Sequence, residues 1–141
     1  MLFNTSYKNE DYEKESNHLL GETYSFLERL KMRGIGSSRF VIEELSPYLT
    51  PENMQKTDVN YANIELRPKG VVVHFSNRLD RYSWLVPYYR LAIFSADAFS
   101  IHSNGKFIKF KKDKYYQENK KFINKFRYLK SAFLNLDYYD A

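Results

Sequence analysis

Between Tyr61 and Lys112 apolar residues recur at every second position in short runs, each closed by turn-forming residues, and a lysine-rich helical pattern follows from Asp113 to Asn135. A period of two puts alternate side chains on opposite faces of a sheet, so this stretch reads as consecutive strands. Ile64 and Leu66 alternate with Glu65 and Arg67, Pro68-Lys69-Gly70 turns the chain, and Val71, Val73 and Phe75 form the returning strand. Asn77-Arg78-Leu79-Asp80 makes the next turn, ahead of Tyr82, Trp84 and Val86 on one face of a third strand. Pro87 lacks an amide donor and belongs at a bend, a bulge or a sheet edge, before Tyr89, Leu91 and Ile93 as the next inward set. Ser95-Ala96-Asp97 turns again, Phe99 and Ile101 alternate with Ser100 and His102, and Ser103-Asn104-Gly105 leads through an Asn-Gly turn into Lys106 to Lys111. The pattern predicts an antiparallel meander of five or six strands over residues 59–112.

The flanking segments read as helical. Over Asp11 to Arg33, Leu20, Tyr24, Leu27 and Leu30 recur at helical spacing, and Gly34-Ile35-Gly36 ends the run in the manner of a C-cap. Ser37-Ser38 caps a second short helix through Leu45, closed by Pro47, and Thr50-Pro51-Glu52-Asn53 starts a single helical turn within the connection to Asp58. Asp113 is the expected N-cap of a closing helix, in which Phe122, Phe126, Leu129 and Phe133 make one stripe with Ile123 and Leu134 beside it. Tyr138 to Ala141 is expected to fray. The fold class is therefore α+β. One domain over 1–141 has a helical part (1–58), a twisted antiparallel sheet (59–112) and a C-terminal amphipathic helix (113–136).

Composition narrows the chemistry. The 141 residues contain no cysteine, which removes disulfides, thiolate metal sites and cysteine nucleophiles. No basic segment followed by an apolar one opens the chain, and no apolar run approaches the roughly 20 residues of a membrane helix, so a cytoplasmic protein is expected. Aromatic residues make up 18% of the chain, with 13 Tyr and 11 Phe; rings with polar tips suit a thin sheet that has a wet face, or a stacking surface. The net charge of +5 is uneven: Lys106 to Ala141 has ten Lys/Arg against four Asp/Glu, or +6, and the preceding residues have twelve against thirteen, or −1.

Catalytic motifs are weak. Gly34-Ile35-Gly36-Ser37-Ser38-Arg39 is the nearest thing to a phosphate cradle, but a helix precedes it where a strand is needed and no Gly-Lys-Ser/Thr follows. His18, His74 and His102 have no metal-ligand spacing, the carboxylates are scattered, and no Gly-x-Ser-x-Gly elbow occurs, so no catalytic, cofactor or metal residue is assigned. His74 and His102 alternate with apolar residues. With Tyr88 and Arg90 they define the outward side expected to meet a protein partner. The second candidate surface is basic: Lys106, Lys109, Lys111, Lys112, Lys120, Lys121 and Lys125, interleaved with Phe107, Tyr115 and Tyr116, combine charge for phosphates with rings for bases.

The meander with a Pro-Tyr element inside it and one closing helix resembles the pleckstrin-homology-like architecture, a strongly bent sheet plugged by such a helix. Leu85-Val86-Pro87-Tyr88-Tyr89-Arg90-Leu91 followed by Phe99-Ser100-Ile101 is similar to its bacterial members. Tyr61-Ala62-Asn63-Ile64-Glu65-Leu66-Arg67-Pro68-Lys69-Gly70 and the Trp84 to Arg90 segment resemble small uncharacterised proteins of Bacteroidetes-type bacteria, over about half the chain. The resemblance implies a PH-like roll and transfers no catalytic residue. The eukaryotic lipid-binding pattern clusters Lys/Arg across the first hairpin, where in this chain only Arg67 and Lys69 flank the turn, with Arg78 and Arg81 in the next.

The expected function is thus a non-catalytic cytoplasmic interaction module, with a protein as partner, no cofactor, and self-association open through any free sheet edge. Sequence-nonspecific binding of nucleic acid or another polyanion through the basic patch is the alternative, and a small enzyme of unrecognised type the third reading.

Overall fold

The computed structural model describes residues 1–52 and 60–140, with side chains through residue 135. Eight strands form one sheet in which every pairing is antiparallel: β1 (Leu2–Asn4), β2 (Phe40–Leu45), β3 (Tyr61–Arg67), β4 (Gly70–Asn77), β5 (Asp80–Pro87), β6 (Ala92–Ser95), β7 (Phe99–Ser103) and β8 (Lys106–Phe110). Their order across the sheet is β1-β5-β4-β3-β2-β8-β7-β6. Helices α1 (Glu10–Leu20) and α2 (Phe26–Met32) precede β2, and α3 (Lys114–Glu118) and α4 (Lys120–Asp140) close the chain.

β2 joins the two halves of the sheet. Phe40 and Val41 pair with Ala62 and Tyr61 of β3, whereas Ile42 to Leu45 pair with β8 after a register shift between Ile42 and Glu44. Such a bulge bends a strand and increases its twist, so the two halves share an inner side. The main core lies there. Trp84, Phe40, Phe99, Phe110 and Tyr88 are fully buried in it with Phe122, Ile123 and Phe126 of α4, and Leu129 and Phe133 continue the stripe predicted for the closing helix.

A second, smaller core lies on the opposite side. Leu20 of α1 packs with Val72 and Leu85, flanked by Phe3, Tyr12 and Leu19. Burying Leu20 alone contributes about 2 kcal/mol. Gly70 makes this approach feasible, because a Cβ there would collide with the carbonyl oxygen of Val86 and lie 2.7 Å from Leu20 Cδ2. α1 therefore covers the outer face of β3, β4 and β5, whereas Tyr48 of a 3₁₀ turn (Pro47–Leu49) lies beside Lys106 of β8.

Several expectations are corrected. The meander supplies six strands, but β1 and β2 enlarge the sheet to eight. Ser38 to Leu45 is not a helix: Phe40, Val41 and Ile42 are all buried, so this strand is covered on both faces and lacks the alternation that marks a half-exposed one. The helix predicted over Asp11 to Arg33 is two, broken where Gly21 adopts a φ of 82° and donates to Asn17 O; Ser25 and Glu28 then restart it with a capping box. Leu27 and Leu30, predicted inward, are exposed. The closing helix breaks at Asn119, whose buried side chain accepts from Ser38 N at 2.9 Å and donates to Ser38 O and Arg39 O. α4 continues to Asp140, past the expected end. The helical turn predicted at Thr50 to Asn53 falls partly, and Asp58 and Ala141 entirely, outside the described residues.

Candidate functional site

The outer face of β3, β4 and β5 carries a continuous chain of polar side chains. The two-residue turn between Asn77 and Asp80 sets His74 opposite Ser83, and the β3–β4 register sets Asn63 opposite His74 with Glu65 on the diagonal. Ser83 Oγ lies 2.7 Å from His74 Nδ1, and His74 Nε2 lies 3.0 Å from Glu65 Oε1. Glu65 Oε2 accepts from Arg67 Nε at 2.6 Å. Arg67 Nη1 donates to Gly21 O at 2.7 Å and Nη2 to Ser16 Oγ at 3.3 Å, which ties the end of α1 to the sheet. At the other end, the Thr5 and Ser83 hydroxyls are 2.7 Å apart.

Burial pushes the Glu65 carboxyl up, but the hydrogen bonds and charges of His74 and Arg67 outweigh it and hold the group at about 2. Glu65 is therefore an anion at neutral pH, held between Arg67 and His74, whose other ring nitrogen faces Ser83. Burial, then the Glu65 charge, raises the Tyr12 phenol, whose ring meets His74 edge-on at 6.4 Å.

Ser83, His74 and Glu65 thus have the contacts of a nucleophile, a base and an orienting carboxylate. Ser83 has 0% exposure, however, and its hydroxyl is engaged by Thr5 and His74. Arg67 engages the second oxygen of Glu65. This arrangement fastens α1 and the segment after β1 to β3, β4 and β5. Among the described residues no group of three His, Asp or Glu side chains could hold a metal ion.

Open space adjoins this chain on the same face. A groove of about 680 Å³ runs between α1 and the Ile35–Ser37 segment, over Asn63, Glu65 and His74, with Arg29 and Arg81 along it. A hollow of about 390 Å³ continues past His74 and Arg81 to Ser76, Tyr61 and Arg39. The Arg39 guanidinium is held 4.7 Å from the Tyr61 ring and 5.0 Å from the Tyr115 ring, and donates to the Tyr115 hydroxyl at 3.3 Å. No protein-family model, curated protein or solved structure matches this chain. The site is therefore defined by its geometry alone.

The four residues expected on one outward face are not together. His74 belongs to the groove, and His102 is on β7, with β3, β2 and β8 between the two strands. His102 stands between Phe94 (4.9 Å, edge-on) and Phe107 (5.4 Å, stacked); burial, then the Lys109 charge, lowers its pKa. Tyr88 is not an exposed anchor. Tyr88 to Arg90 form a 3₁₀ turn, which shifts the phase of the alternation, so Tyr88 turns into the core against Phe133 while Tyr89 and Arg90 face outward. Arg90 lies against the Tyr89 ring at 5.3 Å.

The lysines do not form one free patch either. Lys125 donates to Met32 O and Gly34 O at 2.9 Å each, closing the end of α2, and burial lowers its pKa. Lys112 donates to Ala96 O and lies over the Tyr116 ring. Lys106 lies over Tyr48 at 4.6 Å and Lys109 over Phe107 at 5.5 Å. Lys111, Lys120 and Lys121 are exposed. Gly34 to Arg39 is not a phosphate cradle: β2 follows it, and Ser37 Oγ accepts from Ile64 N.

Asn63 and Ser76 are not singled out by the sequence, and Arg39 and Arg81 enter it only at the end of the Gly34–Arg39 run and in the second turn. The only available signal was that Asn63 and Glu65, His74 and Ser76, and Arg81 and Ser83 hold the polar phase of three adjacent strands. That six polar residues share one face of a hairpin pair follows from period-two alternation and the two turns.

Proposed function

We propose that this protein is a non-catalytic binding module whose recognition face is the groove over β3, β4 and β5. The observation that carries this reading is the pairing of a sealed polar chain with uncommitted polar groups beside it. Glu65, Arg67, His74 and Ser83 are engaged with one another or with α1 and β1, whereas Asn63 and Ser76 side chains make no hydrogen bond among the described residues. Ligand sites are concave, largely preformed and supplied with a few oriented polar groups, which describes this groove.

The order β5-β4-β3-β2-β8-β7-β6 with a C-terminal helix against the inner side supports a pleckstrin-homology-like core, to which β1, α1 and α2 are additions. A cytoplasmic bacterial module belongs to the same reading. Binding of a polyanion through the C-terminal lysines has less support, because Lys112 and Lys125 donate to backbone carbonyls within the fold.

Titration with a panel of small polar fragments, neutral and charged, followed by backbone amide shifts, tests the proposal. Shifts are expected at Asn63, His74, Ser76 and Arg81. Shifts confined to the Phe94, His102 and Phe107 face, or absent from the groove for the whole panel, sink it.

A further inference from the structure

We infer that α2 carries a self-association surface, through which two copies of this chain pair with their α2 helices antiparallel. The surface is separate from the recognition groove and uses side chains that the groove leaves idle. Helix α2 inverts the usual amphipathic arrangement: Phe26, Leu27 and Leu30 are 74%, 69% and 61% exposed, and no residue of the helix is buried. At about 100° per residue these three side chains form one strip. Met32 falls on the opposite side and packs, with Tyr24 and Ile35, against the main core.

A helix of 7 residues does not hold itself together in water. Here the Ser25–Glu28 capping box fixes its start, and Lys125, donating to Met32 O and Gly34 O, fixes its end. The apolar strip is therefore presented outward on an element held in place. Tyr128 of α4, also exposed and one turn along from Lys125, extends the apolar surface on that side.

Charge and area select the occupant. Glu22 precedes the helix, Lys31 and Arg33 end it, all three are exposed, and none is in an ion pair among the described residues. A second copy related by a two-fold axis across α2 sets the Glu22 end of each helix beside the Lys31 end of the other and opposes the two helix dipoles. Phe26 of each copy then meets Leu30 of the other, with Leu27 at the axis. A parallel pairing would set like charges together. Four large side chains of this exposure on each copy amount to about 1,000 Å² in all, the lower end for a specific interface, so the pair is reversible and not obligate.

Sedimentation equilibrium of the intact chain over a range of concentrations, at low ionic strength, tests the pairing. A monomer–dimer equilibrium is expected, weakened about tenfold or more by Leu27→Glu, which puts two carboxylates at the axis, and less than about twofold by Leu79→Glu at the exposed tip of the β4–β5 turn. Glu22→Lys and Lys31→Glu should each weaken it, and the double variant Glu22→Lys/Lys31→Glu should restore it, as an antiparallel contact between copies requires. Thermal unfolding of Leu27→Glu should match the parent, since this side chain is exposed. The inference falls if the chain is monomeric at every concentration, if the dimer ignores Leu27, or if the double charge variant pairs no better than the single ones. It falls too if the chain stays monomeric and binds vesicles of phosphatidylcholine with phosphatidylglycerol in a way that Leu27→Glu abolishes, which would give the strip to a membrane surface.

Discussion

The two halves of the sheet share one core on their inner side and differ on their outer side. Over β3, β4 and β5 the outer face is covered by α1 and organised by an ionised carboxylate, with arginines fixed by rings or hydrogen bonds around it. Over β6, β7 and β8 α1 does not reach; Phe94, His102 and Phe107 are in contact there, and the Lys106 and Lys109 ammonium groups stand over the Tyr48 and Phe107 rings. A buried charge must be matched atom for atom, so the first face is specific in geometry; an ammonium group over a ring face is held less directionally. The same period-two alternation thus yields a structured polar surface where α1 covers it and an adaptable one where α1 does not reach.

The largest test of that contrast is removal of Glu65. Glu65→Ala leaves the Arg67 guanidinium, with a side chain 5% exposed, without its anion. We expect a loss of about 3 to 4 kcal/mol in urea unfolding, and loss of protection of α1 amides. A change under ~1 kcal/mol would mean that the covered face is held by Leu20 and its apolar neighbours alone.

Acid should show nearly the same quantity. The native pKa of Glu65, about 2, lies below its ordinary value of 4.5, so the unfolded chain binds the extra proton and stability rises with pH between the two. The contribution is complete above about pH 5 and is lost as pH falls through the native value. Its full size is roughly 3 kcal/mol. Unfolding measured from pH 5 to 2 should lose that part of its slope in Glu65→Gln.

A smaller effect separates the lysines. Lys125→Met removes the donor to two carbonyls at the end of α2 and should cost about 1 to 2 kcal/mol, against less than about 0.5 for Lys120→Met. Equal effects would make Lys125 an ordinary surface lysine. Least of all, Phe94→Ala, at a side chain 54% exposed on the β6–β8 face, should change stability by no more than about 0.5 kcal/mol. A cost near that of a core phenylalanine would show that the β6–β8 face is a second structural core.

Much of this was readable beforehand, for local reasons. Six strands of the meander, the inward phase of Ile64, Leu66, Val71, Val73, Trp84, Ile101 and Ile108, and the stripe of α4 all follow from periodicity and turn residues. The pairing of His74 with Ser83 was also within reach, since the two-residue turn at Arg78–Leu79 fixes the partners along β4 and β5. Tyr88 reads outward from the alternation, but a 3₁₀ turn after Pro87 moves the phase and turns it inward. β2 does not read as a strand, because one buried on both faces has no alternation.

By itself, then, the sequence determined which residues turn inward along each strand of the meander and along the closing helix, because those choices depend on neighbours a few positions away. Only the tertiary structure decided that β2 unites two half-sheets, that Asn119 stops a helix to bond the backbone at Ser38, and that Arg39 and Arg81 face one hollow. Those facts depend on segments tens of residues apart meeting in space, and no local period encodes such a meeting.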